Sequence, residues 1–140
     1  MSIRGSCDCN NIQVAWFTVD HSLVPRACGC EYCRGNSAAW VSKSGTRFEV
    51  AIQRNEFHRV VRHGSQSAAF HECANCDELV FVTAEISGEL YGALNASRLD
   101  NKFGFPDPIE TDVSSLSAAQ KRERWRRNWC CPVLIKSCGE

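Results

Sequence analysis

The chain has 140 residues, of which 44% are hydrophobic, and its sixteen basic residues balance its sixteen acidic residues. This neutrality leaves no overall field that would attract nucleic acid or a membrane surface. No apolar run approaches the ~18 residues that cross a bilayer, and residues 1–6 lack the apolar stretch of a secretory signal. We therefore expect a single cytoplasmic domain over residues 1–140, with its thiols reduced.

Short apolar, β-branched or aromatic runs recur between turn signals along the first hundred residues. Such spacing is typical of a mainly β domain built from meanders and hairpins. The predicted strands cover residues 12–19, 23–27, 38–41, 47–52, 57–62, 67–71, 79–82 and 89–94.

The last forty residues differ in character from the rest. Residues 101–112 contain two prolines and are predicted to form an irregular surface loop. Ser117 and Gln120 match a capping box, which predicts one C-terminal helix over residues 118–129. A final strand is predicted over residues 133–136.

Two tryptophans lie four residues apart on this predicted helix and share one of its faces. Trp125 and Trp129 could form a stacking platform for single-stranded nucleic acid, beside the basic residues of the same helix. Because the chain is neutral overall, we instead expect them to pack the helix onto the sheet, with the arginines solvated.

Seven of the ten cysteines form three tight clusters, which are Cys7 and Cys9, then Cys28, Cys30 and Cys33, then Cys73 and Cys76. Thiols two residues apart in an extended chain project to one face, with their α-carbons roughly 6.6 Å apart. That spacing is near the upper limit for a disulfide, so such a bridge would be strained. Two thiolates on one face suit a soft cation better, and we predict metal binding, with a disulfide framework as the alternative.

The seven cysteines divide into a set of four and a set of three. Structural zinc sites use four protein ligands, whereas catalytic sites use three and keep one position open. The outer four cysteines, Cys7, Cys9, Cys73 and Cys76, form two pairs that each precede a strand-like run and would complete a closed site. The central three cysteines, Cys28, Cys30 and Cys33, would form a three-thiolate site, whose open position water, a substrate sulfur or a fourth protein ligand could fill.

Three motifs carry a family resemblance, namely Gly5-Ser6-Cys7-Asp8-Cys9, Cys28-x-Cys30-x-x-Cys33-Arg34 and Phe70-His71-Glu72-Cys73-x-x-Cys76. Together they resemble the glutathione-dependent formaldehyde-activating enzyme family, which includes the centromere protein V-like domains. The resemblance covers about residues 3–100 and implies an Mss4-like, β-rich zinc-binding fold. It also implies two zinc ions (Zn²⁺), a structural ion on the outer four cysteines and a catalytic-type ion on the central three.

Three positions depart from the family's pattern without removing a ligand. Gly29 stands where members often carry histidine, and Asn10 replaces a common glycine. Asp77 stands where glycine usually follows the Cys73–Cys76 pair. Asp77 must then adopt a turn conformation that glycine favours, and aspartate is among the better-tolerated substitutes there.

The resemblance implies carbon–sulfur lyase-type chemistry on a thiol–aldehyde adduct. Zinc coordination deprotonates a thiol and holds its sulfur as a nucleophile for an aldehyde carbonyl. For glutathione and formaldehyde the product is S-hydroxymethylglutathione. Arg26 and Arg34 flank the central three cysteines and are candidate anchors for the carboxylates of glutathione, although a solvated arginine is the commoner case.

Two other functions fit the same cysteines. In one, the protein is a zinc-stabilised binding module that acts through protein or nucleic-acid partners, and its second zinc is structural or absent. In the other, the central thiols act as a redox sensor that releases zinc on oxidation. The fourth ligand of the central zinc separates catalysis from binding, because a protein group at that position would close the site.

The remaining candidate side chains carry weaker signals. His71 could support a metal ligand or act in acid–base chemistry, but we expect a half-exposed strand histidine. Cys130, Cys131 and Cys138 lie outside the motifs, and we expect them to be buried or inert thiols.

Overall fold

The computed structural model describes residues 2–18, 23–28, 31–35, 38–62, 68–100, 104–111 and 116–137. Within them, eleven strands and two α-helices are present. The strands are β1 (Ile3–Ser6), β2 (Ile12–Trp16), β3 (Arg26–Cys28), β4 (Ala39–Val41), β5 (Phe48–Ile52), β6 (His58–Val61), β7 (Ala69–Cys73), β8 (Glu78–Ile86), β9 (Glu89–Asn95), β10 (Ile109–Thr111) and β11 (Val133–Ser137). The helices are α1 (Glu31–Gly35) and α2 (Ala118–Asn128), and two short turns of 3₁₀ helix lie at Asn55–Phe57 and Ala96–Arg98.

The strands form two sheets. The small sheet has four strands in the order β1-β2-β5-β11, and the large sheet has seven in the order β10-β3-β4-β9-β8-β7-β6. The pairs β3–β10 and β5–β11 are parallel, and the others are antiparallel. The expected mainly β, Mss4-like fold is confirmed, because all eight predicted strands of the first hundred residues overlap an observed one.

The main core lies between the two sheets. Alternate residues of β2 and β5 are buried, and they face each other in register, as in Ile12 with Ile52 and Trp16 with Phe48. The Phe48 ring meets Phe81 of β8 edge-on, with ring centroids 6.0 Å apart. Period-two burial of this kind is what one apolar face of an antiparallel sheet produces.

Helix α2 begins at a capping box and packs on the large sheet. The Ser117 hydroxyl accepts a hydrogen bond from the Gln120 backbone at 3.2 Å, and the Gln120 side chain accepts one from the Ser117 backbone at 2.8 Å. This confirms the predicted capping box. Trp125 and Trp129 stack with their rings 4.6 Å apart, and they pack against buried Val82 and Ala93 of the large sheet. The expected packing role of the two tryptophans is confirmed.

Three elements differ from the prediction. The sequence runs did not indicate β1 or the one-turn helix α1. The predicted irregular loop over residues 101–112 is wrong at β10, which pairs in parallel with β3. A parallel partner is supplied by a distant part of the chain, so local sequence gives little sign of it. No helix in the described part of the chain is long and apolar enough to span a membrane.

Candidate metal centre

The outer four cysteines meet where the two sheets come together. Cys7 and Cys9 lie in the turn between β1 and β2 of the small sheet. Cys73 ends β7, and Cys76 lies in the turn that leads to β8 of the large sheet. The four Sγ atoms all lie within 4.8 Å of one another. A metal bound here would therefore join the two sheets.

The spacing of the sulfur atoms fits a tetrahedral site. The Sγ atoms of Cys7 and Cys9 are 3.7 Å apart, and those of Cys9 and Cys73 are 3.6 Å apart. Four thiolates at about 2.3 Å from a central zinc form a tetrahedron with edges of about 3.8 Å. The cluster could thus hold a metal ion such as zinc with little rearrangement. The same separations are much too long for disulfide bonds, and these cysteines are free.

Two tight turns bring the thiols together. The residue after the second cysteine of each pair is left-handed, with φ 63° at Asn10 and φ 57° at Asp77. The Cys9 amide donates to Cys76 Sγ at 3.2 Å, and the Ile12 amide donates to Cys7 Sγ at 3.3 Å. Amide hydrogen bonds of this kind favour thiolates. The premise that Cys7 and Cys9 lie in extended chain is wrong, because Asn10 donates its amide to the Cys7 carbonyl at 3.1 Å and closes a turn.

The four thiols lie in different environments. Burial raises the pKa of Cys7, and partial burial with the Cys9 hydrogen bond raises the pKa of Cys76. Hydrogen bonds from the Asn75 side chain and from Cys76 lower the pKa of exposed Cys9 to about 6. The thiolate is the form that binds metal, and the lowered pKa of Cys9 favours its thiolate.

Ion pairs hold the two cysteine turns against each other. Arg98 contacts Asp8 at 3.3 Å, in the first turn, and also Glu78, at the start of β8. The Asp8 amide donates to Glu78 at 2.7 Å. Gly5 permits this approach, because a Cβ there would lie 2.4 Å from the Arg98 carbonyl oxygen. Sequence reasoning missed Arg98 and Glu78, which are far from Cys7 in the chain and carry no motif.

Glu72 was also missed, although it directly precedes Cys73. It is buried, and its carboxylate accepts hydrogen bonds from Tyr32 and, at 2.7 Å, from Arg59. Arg59 also donates to Asp77 at 2.9 Å. A glutamate directly before the predicted ligand Cys73 was a possible signal. If such a carboxylate is buried with the ligand, it nearly always has a charged or hydrogen-bonding partner.

His71 is buried, so the expectation of a half-exposed histidine is wrong. One ring nitrogen lies 2.8 Å from His58 and the other 2.8 Å from the Thr83 hydroxyl, and the ring stacks on Phe81 at 4.1 Å. Burial, with the charges of His58 and Arg62, lowers the pKa of His71 to about 3. A neutral, fully hydrogen-bonded imidazole of this kind is a core residue.

The central three cysteines are described only in part. Cys28 is the last residue of β3, and Cys33 lies in α1 with 2% of its surface exposed. Cys33 packs with Ala38 and Leu79, against Tyr32 and two further aromatic side chains of the large sheet. The Cys28 side chain, Cys30 and the Arg34 side chain lie outside the described residues. The three-thiolate site therefore stays a prediction.

The cysteines outside the motifs are partly accounted for. Cys130 is fully buried beside the Thr46 hydroxyl, and Cys131 is half-buried beside Glu89. Burial raises the pKa of both thiols, which favours their protonated form. Cys138 lies outside the described residues.

Comparisons with known proteins agree with these motifs. A family model described as "Glutathione-dependent formaldehyde-activating enzyme" matches residues 2–114. A crystal structure of a Rhodobacter sphaeroides protein from structural genomics is similar in fold, with a TM-score of 0.56 and 18% sequence identity. The match covers 76% of this chain and 99% of that one. No curated protein matches the sequence significantly.

Proposed function

Because the chain belongs to the glutathione-dependent formaldehyde-activating enzyme family, we propose that it is a zinc-dependent carbon–sulfur lyase-type enzyme acting on a thiol–aldehyde adduct. The adduct of glutathione and formaldehyde, S-hydroxymethylglutathione, is the proposed substrate or product. The observation that carries the proposal is the family match, whose span includes all seven motif cysteines. A cytoplasmic location goes with this proposal, because thiols stay reduced there and can bind metal.

The outer four cysteines are assigned a structural zinc. Their sulfur spacing fits a closed tetrahedral site, and three of the four are at least partly buried. Structural zinc supplies apparent binding free energies of ~10–16 kcal/mol at neutral pH. That exceeds or equals the net stability of most domains, which is about 5–15 kcal/mol.

The central three cysteines are assigned the catalytic-type zinc. Such an ion supplies, when bound, a position where a substrate thiol is held as a thiolate. β3 and α1 fix the two ends of this motif, and the packing around Cys33 excludes water from its end. In the forward reaction the substrate sulfur bonds to the aldehyde carbon, the carbonyl π bond breaks, and the thiol's proton ends on the new hydroxyl oxygen.

Arg26 and Arg124 are the proposed anchors for a substrate carboxylate. Arg26 begins β3, two residues before Cys28, and stands opposite Trp40 of β4. Trp40 joins the cluster onto which Trp125 packs, so Arg124 is brought to the same region. Burial and the charge of Arg124 lower the pKa of Arg26, and neither guanidinium has an ion-pair partner within the described residues. Two neighbouring cations that no carboxylate of the described residues pairs with suit an anionic substrate group.

The test combines metal analysis with the rate of adduct formation from glutathione and ¹³C-formaldehyde, followed by NMR. We expect about two zinc ions per chain in the unmodified protein and an adduct rate above the uncatalysed one. Cys30→Ser should lose one zinc and the rate acceleration, while Cys131→Ser, a thiol outside the motifs, should keep both. A Cys30→Ser variant with both metals and full activity contradicts the assignment. Two tightly held zincs without any rate acceleration would favour the zinc-stabilised binding module instead.

A further inference from the structure

A series of hydrogen-bonded side chains connects the outer cysteine turn to α1. Glu72 directly precedes Cys73, and only 7% of its side chain is exposed. One carboxylate oxygen accepts from Arg59 Nε at 2.7 Å, and the other accepts from the Tyr32 hydroxyl. Tyr32 lies in α1, immediately before Cys33.

Arg59 ties this series to the shape of the cysteine turn. Its guanidinium contacts Glu72 at 2.7 Å and Asp77 at 2.9 Å, and these two carboxylates flank the Cys73–Cys76 pair. Asp77 is the left-handed residue that closes the turn, with φ 57°. The position of the Glu72 carboxylate is thereby linked to closure of the turn, which a metal on Cys73 and Cys76 would enforce.

Regular alternation along β7 brings Glu72 to α1. Phe70 and Glu72 are two residues apart in β7 and therefore project to the same face, and both contact Tyr32. The pairing of β7 with β8 shifts register between His71 and Glu72, and the extra residue is Val80 of β8. His71, Glu72 and Cys73 are all buried, so the Glu72 carboxylate meets α1 away from solvent.

Two residues of β7 contact the Tyr32 side chain, one at its ring and one at its hydroxyl. Its ring packs edge-on against Phe70, with ring centroids 5.1 Å apart, while its hydroxyl donates to Glu72. Cys33, the next residue, is buried in the same cluster. Burial and the hydrogen bond to Glu72 raise the pKa of Tyr32, so its hydroxyl stays a donor.

We propose that Glu72 and Tyr32 are positioning residues that make the order of the Cys33 segment depend on metal in the outer four-cysteine centre. Metal closes the Cys73–Cys76 turn, the closed turn and Arg59 fix the Glu72 carboxylate, and Glu72 fixes Tyr32 and with it α1. The inference rests on metal binding by the outer four cysteines and not on the proposed reaction.

The first test measures hydrogen–deuterium exchange in zinc-loaded Tyr32→Phe and Glu72→Gln, with zinc per chain determined in parallel. Tyr32→Phe loses its hydrogen bond to the buried Glu72 carboxylate and should raise amide exchange in residues 31–35 by roughly tenfold. Glu72→Gln leaves one acceptor oxygen for Tyr32 and Arg59 together, so it should raise the same exchange by a smaller factor. Exchange around Cys7 and Cys9 should not change. Tyr91→Phe is the matched control, because it removes an exposed tyrosine–glutamate hydrogen bond of 3.4 Å. Equal exchange in residues 31–35 of Tyr32→Phe and Tyr91→Phe overturns the proposal.

A second test measures the coupling itself. Cys9→Ser removes an exposed outer ligand, and we expect it to raise exchange in residues 31–35. In the double variant with Tyr32→Phe, the second substitution should add little, because the link is already broken. Fully additive effects on exchange overturn the coupling. If Cys9→Ser does not fold, the Tyr32→Phe and Glu72→Gln measurements decide alone, and the zinc content shows separately whether the outer centre binds metal.

Discussion

At the scale of single residues, the two positions that follow the cysteine pairs set the geometry of the centre. Asn10 and Asp77 adopt φ 63° and φ 57°, a conformation that costs most residues about 1–2 kcal/mol and glycine little. Asparagine and aspartate tolerate it through local hydrogen bonds. Asp77 also uses its carboxylate on Arg59, a contact that glycine could not make.

Replacing Asn10 tests this requirement. Asn10→Ala should destabilise the zinc-loaded protein by about 1 kcal/mol, since alanine gains nothing in the left-handed region. Asn10→Gly removes the same side chain without the backbone cost and should match or exceed the original stability. The measurement is the urea midpoint of each variant at fixed zinc. Equal midpoints for Asn10→Ala and Asn10→Gly would show that the turn does not need a left-handed residue.

The sequence was most informative at these residues and least informative about their neighbours. Short-range spacing predicted the two cysteine pairs and the turn strain at Asp77, because both depend on adjacent residues. The contacts of Arg98 and Glu72 could not be predicted, since their partners come from distant elements of the fold. The role of Cys28 and Cys30 still rests on the sequence motif, because the Cys28 side chain and Cys30 lie outside the described residues.

At the scale of elements, prediction succeeded where the signal was local. α2 carries its own start signal in Ser117 and Gln120, and the structure has both hydrogen bonds of the box. β10 carries no comparable signal. Within the described residues its strand partner is β3, in a parallel pair at the edge of the large sheet, and local periodicity does not reveal a partner so distant in the sequence.

The cap of α2 gives the prediction that belongs to this scale. Ser117→Ala should destabilise the protein by about 1 kcal/mol, because the Gln120 amide loses its acceptor at the helix start. Ser44→Ala, at an exposed turn position, is the control and should have little effect. Thermal unfolding of both variants, followed by circular dichroism, makes the comparison. A Ser117→Ala midpoint equal to that of Ser44→Ala would mean that tryptophan packing alone holds α2.

At the scale of the whole molecule, the outer cysteines act as a link between sheets. The small sheet supplies Cys7 and Cys9, and the large sheet supplies Cys73 and Cys76. The same sheets already share a buried core that includes Trp16, Phe48 and Phe81. Metal bound by these cysteines would therefore add a second link between two sheets that already share an apolar core. If residues 1–140 form one domain, as predicted, the protein should unfold in a single transition.

Removing the metal tests this arrangement. Because structural zinc contributes ~10–16 kcal/mol and a domain retains only about 5–15 kcal/mol, we expect chelation to abolish the cooperative thermal transition. The double variant Cys73→Ser with Cys76→Ser should behave like the chelated protein, because it leaves only two ligands for a closed site, whereas Cys131→Ser should unfold like the original chain. Calorimetry with parallel zinc analysis follows both changes, and adding zinc back should restore one transition. A zinc-free protein that unfolds at the original temperature would show that the apolar core alone holds the two sheets together.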